Sequence, residues 1–196
     1  MILLRSGLRG FSKGMIFKGL KLEGAFLIEP ERHEDDRGFF ALTWSQAEID
    51  ARGLEPRVVE CNVSFNCRRG TLRGMHYQAA PHGQVKIVRC TTGAIYDVII
   101  DLRAGSATFK QWVGVELTAR NGNMLYIPKD FAHGFQTLAD DTEVFYQMSE
   151  VYIPESGRGV RWNDPAFGVT WPRLERIIIN DRDKSFPDFV QPPISL

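Results

Sequence analysis

The chain has 196 residues with 24 basic and 24 acidic side chains, so its formal net charge at pH 7 is zero. That balance excludes a global field drawing the protein to nucleic acid or an anionic membrane, and any anionic ligand must be held by a local cluster. An apolar fraction of 43% suits one domain with a proper core, while the absence of any run of 18 apolar residues argues against a membrane span.

The first stretch, "MILLRSGLRGFSKG", mixes basic and apolar residues and has neither the long apolar run nor the small-residue cleavage site of a signal peptide. Residues 1–14 are expected to be an extension and 15–196 a single domain. Three cysteines, Cys61, Cys67 and Cys90, form no C-x-x-C pair and read as reduced thiols of a cytoplasmic protein. Short runs of β-branched and aromatic residues then follow one another, predicting strands over 24–29, 38–43, 58–65, 71–78, 84–91, 94–102, 111–119, 123–127, 132–138 and 142–149. Turn residues separate them, as in "DDRG", "APHG", "TTG" and "RNGN". One helix is expected over 45–52, with Ser45 as N-cap, Glu48 at the third helical position and Gly53 just past the end. The proline-rich tail after residue 150 should wrap the barrel or cover a sheet edge.

Ten short strands in one domain predict an all-β double sheet, most simply a jelly roll, with short peripheral helices. Such a sheet pair leaves edges to be covered. Aromatic residues near the N-terminus (Phe17, Phe26, Phe39, Phe40) are suited to cover by a second copy, and a homodimer is expected.

Strand periodicity sorts the polar residues by face. In 71–78, Leu72, Gly74, His76 and Gln78 share one face; in 84–90, Lys86 lies with Gln84, Val88 and Cys90; in 142–149, Tyr146 lies with Val144 and Met148. Each alone has a bland reading: a strand histidine is usually a satisfied, partly buried residue, and a strand lysine usually faces solvent. Three proton-exchanging or anion-stabilising groups on neighbouring strands point instead to a polar cavity. Arg73 has the opposite parity from His76, and only a bulge at Gly74 brings both to one site.

The four histidines, His33, His76, His82 and His133, form no H-x-H or H-x-x-x-H pair, and no glycine-rich phosphate loop precedes a helix. What remains is metal-free acid–base chemistry: a histidine base with a carboxylate partner, a tyrosine donor and a lysine for an oxyanion. This set suits proton abstraction beside a carbonyl.

The motifs "DDRGFF" (35–40), "NVSFN" (62–66), "GTLRGMHYQ" (70–78), "QVKIVRC" (84–90), "IPKDFAHGFQTL" (127–138), "EVFYQMSEVYIP" (143–154) and "RWNDP" (161–165) together resemble the dTDP-4-dehydrorhamnose 3,5-epimerase family. The resemblance implies a cupin-like double-stranded β-helix and no metal or organic cofactor. It implies His76 as base, Asp183 as its partner, Tyr146 as proton donor on the opposite sugar face, and Lys86 beside the C4 carbonyl oxygen. It implies Arg73 at the diphosphate and Arg37 reaching the nucleotide of a partner subunit. Phe40, Asn62, Gln78, His133 and Tyr152 are expected substrate contacts. The substrate would be a nucleotide-diphosphate 4-keto-6-deoxysugar, and the N-terminal segment of one subunit would reach its partner's site.

Three positions depart from the family pattern: Leu42 and Gly157 stand where a glutamate is usual, and Glu60 where glutamine is common. They leave open inversion at a single carbon, a CDP-linked sugar, and a non-catalytic sugar-nucleotide-binding cupin.

Overall fold

In the computed structural model, described over residues 14–172 and 175–190, two antiparallel sheets face one another. The elements are β1 (Met15–Gly19), β2 (Phe26–Pro30), β3 (Arg32–Asp35), β4 (Gly38–Ala41), α1 (Gln46–Asp50), β5 (Glu60–Asn66), β6 (Leu72–Gln78), β7 (Lys86–Thr92) and β8 (Ala94–Asp101). They continue with β9 (Trp112–Thr118), β10 (Met124–Ile127), β11 (Phe131–Thr137), β12 (Thr142–Met148), β13 (Gly157–Gly159) and α2 (Asp181–Lys184). One sheet runs β1-β2-β10-β7-β12-β5 and the other β13-β6-β11-β8-β9, while β3 and β4 form a separate hairpin. This is the expected all-β, cupin-like jelly roll with two short helices.

Each expected strand is present. The helix forms as Ser45 predicts: its side chain accepts a hydrogen bond from the Glu48 N–H, and Gly53 takes a positive φ of 67° beyond the end. The structure adds β1, β3, β13 and α2. Strand β13, drawn from the proline-rich tail, pairs with β6 and covers that sheet edge.

Three apolar clusters follow from the alternation. Between the sheets lie Val88, Cys90, Ile95, Ile99, Leu117, Phe131, Phe135 and Val144 with their neighbours. Outside the five-stranded sheet, Leu72, Met75, Val98 and Ile100 pack against Phe167 and Trp171 of the tail. Outside the six-stranded sheet, Ile28, Ile87 and Met124 pack against Ile49 of α1. Each such side chain, fully buried, contributes about 1.5–3 kcal/mol of transfer free energy.

The expected extension, 1–14, lies outside the described residues except for Gly14. Among the described residues no helix is long and apolar enough to cross a membrane.

Candidate active site

The two sheets do not close completely. A cavity of about 400 Å³ opens between them, lined by residues from β5, β6, β7, β11, β12 and the tail. Arg73, His76, Lys86, His133, Tyr146 and Asp183 all reach it, together with Asn62, Gln78 and Tyr152.

A bulge explains how Arg73 and His76 share this cavity. The register of β6 against β11 runs His76 to His133 and Arg73 to Phe135, so three steps on β6 oppose two on β11. Leu72 and Met75 accordingly both bury on the outer face, whereas Arg73 and His76 both turn inward. Simple alternation placed Leu72 on the face of His76, and the bulge corrects that. Gly74 sits at the irregularity with φ +119°. A Cβ there would lie 2.6 Å from the Gly134 Cα and 2.8 Å from the His133 carbonyl oxygen, so only glycine lets the strands approach this closely.

His76 Nε2 lies 2.8 Å from Asp183 Oδ1. Asp183 is delivered by α2, a single turn capped by Asn180, whose side-chain oxygen accepts from the Asp183 N–H at 2.7 Å. The other Asp183 oxygen accepts from the Gly74 N–H at 3.0 Å. Burial works against the Asp183 charge, but the hydrogen bonds from His76 and Gly74 outweigh it and hold the carboxyl below its ordinary range. Nε2 is therefore tied to a carboxylate, and among the described residues no protein partner takes Nδ1, which leaves that nitrogen for a ligand. Phe186 packs edge-on against the imidazole, with ring centroids 5.7 Å apart.

A second histidine–carboxylate pair lies deeper. His133 Nε2 is 2.6 Å from Asp97 Oδ1, and both side chains are buried. The His133 ring meets Tyr146 edge-on at 6.2 Å. Burial pushes the Tyr146 phenol well above its ordinary value, with a smaller push from Asp97, although Ser64 and Arg73 act the other way. Burial also lowers the Lys86 ammonium to about 8, and the Asp97 charge opposes that fall. The cavity thus holds a neutral phenol, an ammonium close to titration and two histidines backed by carboxylates.

Arg73 Nε donates to Asn66 Oδ1 at 2.7 Å, which fixes the guanidinium at the exposed side of the cavity. Asn62 stands opposite Tyr146 on β5. Gln78 is in the wall, but its amide is committed to the tail: it donates to the His82 and Val151 carbonyls and accepts from the Ile153 N–H. Tyr152 is half exposed at the rim, beside Gly157. Arg37 and Phe40 are not brought to this cavity. They line a separate groove on the β3–β4 hairpin, where Arg37 pairs with Asp35 and Phe40 is 68% exposed.

Sequence reading passed over Asp97, Ser64, Arg158 and Arg182. The only signal for Asp97 is an acid breaking the apolar alternation of "IYDVIID". Among the described residues no group of three or more His, Cys, Asp or Glu side chains is arranged to hold a metal ion.

A model of the family described as dTDP-4-dehydrorhamnose 3,5-epimerase matches residues 19–191. A protein of that description from Methanothermobacter thermautotrophicus is 41% identical over 178 residues, 89% of this chain and 95% of that one. The crystal structure of a dTDP-4-dehydrorhamnose 3,5-epimerase from Bacillus anthracis with TDP and PPi bound superposes with a TM-score of 0.86 at 40% identity, covering 90% of this chain and 100% of that one. A 3'-monoepimerase from Streptomyces bikiniensis in complex with dTDP-quinovose superposes with a TM-score of 0.81 at 34% identity, covering 86% and 85%. The chain belongs to the dTDP-4-dehydrorhamnose 3,5-epimerase family.

Proposed function

We propose that the protein is an isomerase that inverts C3 and C5 of dTDP-4-dehydro-6-deoxy-D-glucose, giving dTDP-4-dehydro-L-rhamnose, by acid–base chemistry of its own side chains. The observation that carries this reading is the single cavity holding a carboxylate-backed base, a protonated phenol and a lysine. In the substrate, the C4 carbonyl acidifies the protons at C3 and C5. His76 takes a proton at Nδ1, with Asp183 steadying the imidazolium through Nε2. Lys86 stabilises the enolate oxygen at C4. Tyr146, kept protonated by its burial, returns a proton from the opposite face and inverts the centre. Arg73 binds the diphosphate; Asn62, His133 and Tyr152 contact the substrate, and Gln78 braces the wall.

The protein works in the cytoplasm as a homodimer, with no metal or organic cofactor. Exposed Phe39 and Phe40 support the dimer, as does the position of Arg37 outside its own chain's cavity. In the dimer Arg37, Phe40 and the N-terminal segment reach the partner's nucleotide. A second reading, inversion at one carbon only, is supported by the similar fold of a 3'-monoepimerase, although its match is lower than that of the 3,5-epimerase.

Proton NMR in D2O with dTDP-4-keto-6-deoxyglucose separates these readings. The proposal expects deuterium at both C3 and C5 and a new L-configured product. Exchange at one carbon alone would establish the narrower epimerase; absence of exchange would sink the dTDP-sugar reading, and absence with the CDP-linked analogue as well would sink the enzymatic one.

A further inference from the structure

Asp97 is placed where apolar residues belong. Along β8 it alternates with Ile95 and Ile99, both in the core between the sheets, and it is 0% exposed. Its Oδ1 holds His133, whereas its Oδ2 is buried and has no hydrogen-bond partner among the described residues. An isolated carboxylate in such surroundings is expensive, and a folded chain retains one only when a cation or donor compensates it. The titratable groups it acts on are few: His133 from β11, Lys86 and Cys90 from β7, and Tyr146 from β12, while His76 and Arg73 of β6 line the cavity with Lys86, His133 and Tyr146. Strand β9 turns only Val113, Val115 and Leu117 toward this core. Burial holds Cys90 as a neutral thiol and Tyr146 as a neutral phenol. Lys86 and His133 are therefore the groups beside Asp97 able to balance its charge.

We infer that Asp97 is a positioning residue for the epimerisation: its carboxylate, bonded to His133 through one oxygen and unpartnered at the other, keeps the buried lysine charged for the enolate oxygen. This rests on the reaction proposed above. His133 is oriented through Oδ1, and the field of the remaining oxygen holds the Lys86 proton against desolvation. Asp97 never touches the sugar. It acts by setting the charge of a group that does.

The test is the pH dependence of kcat/KM, which reports the free enzyme, in wild-type protein, Asp97→Asn and Asp97→Glu. Asparagine keeps a hydrogen bond to His133 but removes the charge. The alkaline limb should then move to lower pH by about one unit, which costs about fivefold in rate at the wild-type midpoint. Asp97→Glu should restore the limb toward its wild-type position. A limb that stays in place while activity merely falls would overturn the inference, and with active wild-type enzyme it would leave the epimerase reading intact.

A second variant serves if Asp97→Asn does not fold or wild-type protein is inactive. Lys86→Met removes the proposed counter-ion and leaves Asp97 in place. The buried Asp97 charge then has one cation fewer beside it, so Lys86→Met should have a lower urea midpoint at pH 7 than the double variant Lys86→Met/Asp97→Asn. Equal midpoints for the two would contradict the coupling.

Discussion

His76 and Asp183 stand 107 positions apart in the chain, yet Nε2 and Oδ1 are 2.8 Å apart at the cavity wall. The carboxylate is prepared before any ligand arrives: the Gly74 N–H takes its second oxygen, and Asn180 holds the turn that delivers it. Orientation of the base is thus a property of the fold. Asp183→Asn keeps the size of the side chain and its acceptor for Gly74, but loses the charge that steadies an imidazolium. It is expected to lower kcat by about 10²- to 10⁴-fold with little change in KM. Steady-state kinetics with a circular-dichroism control check this, and a drop under tenfold would remove Asp183 from the proposed mechanism.

Gly74 makes the second prediction. Its φ of +119° and the 2.6 Å that would separate an added Cβ from Gly134 leave no room for any side chain. Gly74→Ala must push β6 away from β11, and with it the pairing that sets Arg73 and His76 on one face. A loss of about 3 kcal/mol or more is expected in urea unfolding, together with loss of turnover. A variant as stable and active as wild type would show that the bulge tolerates a side chain.

The third prediction concerns alkaline pH. Lys86 is brought down to about 8 by burial, so its ammonium is lost as pH rises through that value. Tyr146 moves the other way and keeps its proton there. The fall in kcat/KM above about pH 8 therefore belongs to Lys86. Lys86→Arg, whose guanidinium stays charged throughout, should abolish that limb whatever its absolute rate. A limb persisting near the same pH in the arginine variant would assign it to another group.

Acid stability gives the fourth. Asp101 is buried at the end of β8, where Arg103, Ser106 and Thr108 all donate to it. Burial raises its pKa, but these bonds outweigh it and bring the carboxyl to about 2 from an ordinary 3.8. A pKa depressed on folding means stability that is present above the unfolded value and lost as pH falls toward the folded one. Asp101 should thus contribute about 2–3 kcal/mol at neutral pH, fading between about pH 4 and pH 2. Urea midpoints for wild type and Asp101→Asn across that window should converge at its acid end. Curves that stay parallel would contradict this.

Much of the fold was legible because its strands follow alternation and its turns carry glycine, asparagine and aspartate. Three strands were not, for separate physical reasons. Residues 32–35, "RHED", are polar throughout and pair only within an exposed hairpin. Residues 157–159, "GRG", have almost no side chains to pattern and become a strand only because β6 offers an open edge. Residues 15–19 are short, and β2 decides their conformation. In the site, His76, Lys86 and Tyr146 stood out as polar residues in apolar strands. Asp183 became visible only through family resemblance, because no local period links a one-turn helix in the tail to a mid-chain strand. Arg73 depended on a bulge that alternation cannot count, and Asp97, one acid in a long apolar strand, gains its meaning only from the pairing of β8 with β11 that sets it beside His133.

In the proposed mechanism His76 and Tyr146 act on opposite faces of one sugar. The Tyr146→Phe protein with dTDP-4-keto-6-deoxyglucose in D2O, read for deuterium content and configuration at C3 and C5 by proton NMR, separates the two roles. His76 is expected still to exchange the proton and return deuterium to the same face, so exchange proceeds while net inversion is lost. Full epimerisation by Tyr146→Phe at the wild-type rate would contradict that mechanism.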